Sequence, residues 1–210
     1  MRVYSLKSYK RMSDLYSMAT DIFRDDDSLD ILIGSMLNGH DRVNLRDINI
    51  ETYIIPDSYT VQDCVFNSED AVYKQVRRFT EPIIEIAERA GCNANLFTAL
   101  YEAMLNAYQH GNQLDETKPV QVAYKISDNN AEIGVIDQGG LISPAFIPFI
   151  KRHRLGMHKE RFLDWYSFTN QDKPKTNNGT GTSFMHTYVD NVQYFKSADG
   201  GLVCHLTKHW

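Results

Sequence analysis

The chain has 210 residues, of which 42% are hydrophobic and 23% charged, and a formal net charge of −5. Those values suit one soluble globular domain with enough core to fold without disulfide or metal staples. They argue against charge-driven binding to nucleic acid or to an anionic membrane, which shows as a basic excess.

Cys64, Cys92 and Cys204 are far apart and lack metal-ligand spacing, so they read as reduced thiols. The opening "MRVYSLKSYKRM" lacks the apolar core of a signal peptide, and no run approaches the roughly 20 apolar residues of a membrane span. The expectation is a cytoplasmic protein with no membrane association and no direct nucleic-acid contact.

Residues 1–60 read as an extension. "DLYSMATDIF" and "SLDILIGSML" each fit a short helix, and "INIETYII" alternates like a strand. From residue 61 the pattern is more regular. "VQDCVF" is a candidate strand. In "SEDAVYKQVRRFTEPIIEIAERAG", Val72, Val76, Phe79, Ile83, Ile86 and Ala87 recur at helical spacing and Gly91 supplies a stop. Pro82 predicts a kink there, or two helices meeting.

A second helix follows over "LFTALYEAMLNAYQHGN". Next comes a hairpin, "VQVAYKIS" and "AEIGVID" around "DNN", then a long irregular segment. "TSFMHTYVDNV" predicts a helix, and "VQYFKS" and "LVCHLTK" a closing hairpin around "ADGG". The fold class is therefore α+β, a two-layer α/β sandwich with helices on one face of a mixed, mostly antiparallel sheet.

In the second helix Glu102, Asn106 and His110 fall at four-residue intervals, a slanting polar row. It lies beside the apolar face made by Leu96, Ala99, Leu100, Ala103 and Ala107. One reading makes Glu102 and Asn106 solvent-facing, with His110 and Gly111 an ordinary helix C-terminus. The other makes Asn106 a neutral oxygen ligand for Mg²⁺ and Glu102 a base one turn away, at a ligand pocket between helix layer and sheet.

Two further segments bear on the choice. "EIGVIDQGG" carries an apolar strand to Asp137, a carboxylate able to accept a hydrogen bond from an exocyclic amine. Gly139 there would allow close approach of a flat base; an Asp-Gly turn is the ordinary alternative. "NNGTGTSFM" sets Gly179 and Gly181 before a helix, where backbone N–H groups can meet phosphate oxygens.

With these three segments in this order, residues 61–208 resemble the GHKL ATPases: gyrase, the heat-shock chaperone ATPase, histidine kinases and MutL. The resemblance is nearest to the anti-sigma-factor serine/threonine kinases of bacterial partner-switching systems. "EAMLNAYQHGN" is similar to that group's N box, "DQGG" to its first glycine box, and "NGTGTSFMHTYVDNVQYF" to its second, including Asp190 and Val192.

The resemblance implies the Bergerat ATP-binding fold over residues 61–210, with ATP and Mg²⁺ as cofactors and a lid at about 142–178. It implies that Asn106 holds Mg²⁺, Asp137 binds adenine, and Glu102 is the catalytic base. Gly179, Thr180, Gly181 and Thr182 would form the loop closing on the phosphates, and Gly139 would lie beside the base. The implied partners are a sigma factor or similar target and an antagonist protein as phosphorylation substrate, with a homodimer by analogy.

The first glycine box departs from the family pattern: Leu141 stands where a second glycine is usual, and Gly140 comes one residue early. The segment between the boxes is also longer than a compact lid. Within it Lys173 and Lys175 read either as phosphate-reaching lid residues or as a solvated basic loop, while Trp165 and Phe168 read as a small satellite core.

The altered box motivates an alternative, a non-enzymatic or weakly nucleotide-binding interaction module on the same fold. "NGHDRV", with His40 beside Asp41, faintly resembles a phosphoacceptor box but lacks the long paired helices such a box needs.

Overall fold

The computed structural model describes residues 42–47, 50–92, 95–143, 145–160, 163–174 and 178–210. The two short helices expected before residue 42, the His40–Asp41 pair and Lys175 lie outside the described residues.

In chain order the strands are Val43–Asn44 (β1), Thr60–Cys64 (β2), Val120–Ser127 (β3), Asn130–Ile136 (β4), Leu141–Ile142 (β5), Asn191–Lys196 (β6) and Leu202–His209 (β7). The helices are Val72–Arg89 (α1), Leu96–Asn106 (α2), Phe146–Arg154 (α3), Met157–Glu160 (α4), Trp165–Thr169 (α5) and Gly181–Tyr188 (α6). The main sheet runs β2-β3-β4-β7-β6 with every neighbouring pair antiparallel, and Thr52 adds a parallel bridge to Lys196. This is the expected α+β sandwich.

Strand alternation sorts the side chains between two faces. Val122 lies opposite Val135, Val135 opposite Cys204 and Tyr194 opposite Cys204, a row that shares the inner face with Ile133 and Leu206. Against this face pack Val76, Ile83 and Ala87 of α1, Leu96, Ala99, Leu100, Ala103 and Met104 of α2, and Met185 of α6. The apolar periodicity read from α2 is that of the core; in α1 Val76, Ile83 and Ala87 belong to it, Val72 and Phe79 pack at its edge, and Ile84 takes a core place while Ile86 is half-buried.

The opposite face carries Ala123, Ile136 and Val203, covered by Tyr53, Ile55, Tyr59 and Phe195. The described part of "INIETYII", residues 50–55, forms no full strand. It makes a bridge at Thr52 and lays Tyr53 and Ile55 over the back of the sheet.

Two expectations change. α1 is one continuous helix that includes Pro82, not two. A mid-helix proline costs roughly 3 kcal/mol, but Ile83, Ile84 and Ala87 beyond it are buried and hold the helix in register.

The segment read as irregular contains α3, α4 and α5. In α3 the basic run Lys151–Arg154 hides an apolar face of Ile147, Phe149 and Ile150, and Pro148 falls within the first turn, where its missing N–H costs nothing. Buried His153 ties α3 to α6: Nδ1 donates to the Phe149 carbonyl at 2.8 Å and Nε2 lies 2.9 Å from Ser183 Oγ. Burial lowers its pKa to about 4, so the ring is neutral at pH 7. No described helix is long and apolar enough to cross a membrane.

Candidate functional site

α2 does not end at Asn106. It passes into a π-helical turn, Ala107–Gly111, an irregularity often found at functional positions. Glu102 and Asn106 keep α-helical register while His110 and Gly111 are carried round by the turn. All four line one cavity of ≈ 420 Å³, together with Asp137 from the end of β4. Gly179, Gly181 and Thr182 from the second glycine segment line the same cavity, whereas Gly139 and Thr180 do not.

The three motifs meet where side chains are missing. A Cβ on Gly111 would overlap the Asp137 carboxylate, so glycine is what lets the end of α2 reach the end of β4. A Cβ on Gly181 would overlap Glu102 Oε2 and lie 3.5 Å from Asn106 Nδ2, so the start of α6 rests directly on the polar row. Gly139, expected beside a base, faces the Gly111 carbonyl closely enough that a Cβ would not fit. It serves the contact between the two motifs.

Sequence reading overlooked Asn112, which completes this junction. Fully buried, it donates from Nδ2 to the Lys118 carbonyl at 2.7 Å and accepts at Oδ1 from the Gln138 N–H at 2.7 Å. Its place directly after the His-Gly pair was the available signal.

Asp137 is 4% exposed. Its Oδ1 accepts N–H bonds from Gly139 at 3.0 Å and Leu202 at 3.1 Å, which fix the plane of the carboxyl group. Burial raises its pKa to about 6 against the pull of those backbone donors. It is therefore an oriented acceptor at neutral pH and partly protonated in mild acid.

Glu102 also has a raised pKa, through burial. Among the described residues neither the Glu102 carboxylate nor the Asn106 amide is engaged by another side chain. A hydrogen-bond acceptor and a base are thus left available beside an open cavity. No group of three or more His, Cys, Asp or Glu side chains that could hold a metal occurs among the described residues. The donor set of Asn106 and Glu102 suits a hard cation that keeps its waters and completes its shell with phosphate oxygens.

The departure in the first glycine box has a structural cause. Leu45 N–H donates to the Gly140 carbonyl at 2.8 Å, and the next residues pair with β1, Asn44 opposite Leu141 and Val43 opposite Ile142. Position 141 is therefore extended strand, and its leucine becomes part of the cavity wall. β1 also brings Arg42 to the cavity, from a stretch in which the sequence alone showed no function.

On the lid side, α5 docks on the second glycine segment through a 2.8 Å bond from the Trp165 N–H to the Gly179 carbonyl. Trp165 and Phe168 pack on Phe149, with ring centroids 5.1 and 5.2 Å away, and Trp165 also lines the cavity. Lys173 is exposed and is not part of the lining. Asp190 accepts bonds from Lys208 Nζ at 2.8 Å and the His209 N–H at 2.6 Å, so it holds α6 to β7.

No curated protein matches the chain closely enough to serve as a relative. The family model for the histidine kinase-like ATPase domain matches residues 66–208, a span that includes α1, the polar helix, both glycine segments and the lid between them. With that match over most of its length, the chain belongs to the histidine kinase-like ATPase family.

Proposed function

We propose that this protein is an ATP- and Mg²⁺-dependent serine/threonine protein kinase of the anti-sigma-factor type. It would bind a target such as a sigma factor and be relieved, or read out, through phosphorylation of an antagonist protein, in the cytoplasm and as a homodimer. One observation carries the reading: Asp137, Asn106 and Glu102 line a single cavity, joined by glycine contacts that leave no room for side chains.

The assignment of roles follows from the chemistry of each group. Asp137, oriented by two backbone donors, accepts from the exocyclic amine of adenine. Asn106 offers its side-chain oxygen to Mg²⁺, which supplies charge neutralisation for the phosphates when bound. The N-terminus of α6, with Gly181 and Thr182 at the cavity, would offer its first-turn N–H groups to the phosphate chain.

Glu102, its pKa raised by burial, takes the proton from a serine or threonine hydroxyl. The hydroxyl oxygen bonds to the terminal phosphorus, the bridging P–O bond breaks, and ADP leaves. Catalysis of this kind rests mainly on positioning and charge neutralisation.

The test is transfer of label from γ-labelled ATP to serine or threonine of candidate antagonist proteins, alongside thermal shift with Mg-ATP. Label on a partner together with a raised melting temperature supports the kinase. A raised melting temperature with no transfer to any partner or to water overturns catalysis. No shift at millimolar Mg-ATP would leave the protein-interaction module, the reading favoured by Leu141 in the glycine box.

A further inference from the structure

The cavity has an imbalance of charge that the proposed nucleotide would make worse. Among the described residues that line it, Glu102 and Asp137 carry carboxylates, and Arg42 supplies the one permanent positive charge. Lys173 of the lid is not in the lining. A magnesium-bound triphosphate brings further net negative charge, and among the described residues the family motifs set no cationic side chain in the lining. We propose that Arg42, delivered by β1, binds the phosphate chain of the nucleotide. The proposal rests on the nucleotide reading of the cavity and adds to it a residue that lies before the matched domain.

Backbone pairing makes the placement of Arg42 specific. Val43 and Asn44 pair with Ile142 and Leu141, and Leu45 bonds to Gly140 and is buried at 1% exposure. Asn44 Oδ1 accepts from the Arg46 N–H at 2.9 Å, and the Arg46 side chain donates to the Asp199 carbonyl at 3.1 Å, fastening the segment to the turn between β6 and β7. The residue immediately before this strand is thereby held at the cavity.

From there Arg42 Nη1 donates to the His110 carbonyl at 3.4 Å. His110 follows Asn106 by four residues through the π-helical turn, and both line the cavity that Arg42 lines. That bond uses one of the five N–H donors of a guanidinium, whose fork matches phosphate oxygens. The charge is felt at this end of the helix: the pKa of His110 is lowered by burial and then by Arg42. The ordinary role for such a contact, capping the carbonyls at a helix end, predicts no preference among ligands. A phosphate contact predicts a preference that follows the phosphates.

Calorimetric titration of the full chain and of Arg42→Gln and Arg42→Lys with Mg-ATP, Mg-ADP and adenosine separates the two. The expected result is that Arg42→Gln weakens Mg-ATP roughly ten- to a hundredfold, the range for a hydrogen bond to a charged group. Adenosine affinity stays the same, the ligand-free melting temperature is unchanged, and Arg42→Lys recovers part of the loss. Equal weakening of Mg-ATP and adenosine, or unchanged Mg-ATP affinity, overturns the proposal while leaving the nucleotide site intact. A parent protein that binds neither Mg-ATP nor adenosine overturns the nucleotide reading and this inference with it.

Discussion

The two ends of the cavity are built differently. At the Asp137 end the geometry is already fixed: the carboxyl is pinned through Oδ1 by Gly139 and Leu202, Gly111 lies against it, and Asn112 stitches the helix end to Gln138. At the Asn106 end, one helical turn or more away, the Glu102 and Asn106 side chains are unengaged among the described residues. One end is set before any ligand arrives, and the other waits for one. A rigid acceptor suits a flat base that always presents the same edge. Unengaged oxygens suit a metal and phosphates whose arrangement changes during a reaction.

Substitutions can break that contrast. The largest effect is expected at Glu102. Glu102→Gln keeps shape and removes the base, so phosphotransfer should fall by roughly 10²- to 10⁴-fold while calorimetry shows Mg-ATP still bound; full activity in this variant would remove Glu102 from the mechanism. Next comes Asn106→Ala, which should abolish the difference between nucleotide affinity with and without Mg²⁺ and leave adenosine binding intact, since the Asp137 end does not depend on it. Loss of adenosine binding as well would mean the two ends are not separate.

Gly111→Ala tests the rigid end. Gly111 is not in the left-handed region, so the added methyl reports overlap with Asp137 and not backbone strain. Overpacking of this kind typically costs 1–3 kcal/mol, which a denaturant midpoint would register, with adenosine affinity lost along with it. An unchanged midpoint would mean that the junction is looser than its geometry.

The smallest expected effect is the pH response of Asp137. Its pKa stands at about 6 where 3.8 is ordinary. The folded state therefore holds the proton more tightly than the unfolded chain, and the stability from this group is present below the unfolded value and lost as pH rises through about 6. Adenine binding requires the ionised acceptor, so adenosine affinity should move oppositely, falling as pH drops through about 6 and level above it. Affinity flat from pH 5 to 8 would contradict the acceptor role. His153 opposes the stability trend: with its pKa lowered to about 4 by burial, it favours the folded state above 6.5 and loses that contribution as pH falls toward 4.

Much of this was legible in the chain itself. The apolar spacing of Leu96, Ala99, Leu100 and Ala103 marks a face that is buried, and the polar row beside it lines the cavity. The two hairpins fall where alternating runs flank turn residues. Periodicity is a property of neighbours a few residues apart, so sequence displays it. The helices of the lid were hidden because α3 ends in the basic run of residues 151–154, and charge there outweighed the apolar face beneath it. Pro82 misled for a related reason: its local cost is visible in sequence, but the burial that offsets it is not.

By itself the sequence determined the main helices Val72–Arg89, Leu96–Asn106 and Gly181–Tyr188, the strands of the main sheet, most of the core-facing residues and the three motifs, because each depends on short-range pattern. Only the tertiary structure decided that Gly111, Gly139 and Gly181 are the points where those motifs touch, that Leu141 belongs to a strand, and that Arg42 reaches the cavity. Such contacts join residues as distant as 42 and 110 through backbone pairing and missing side chains, and no local pattern in the chain encodes them.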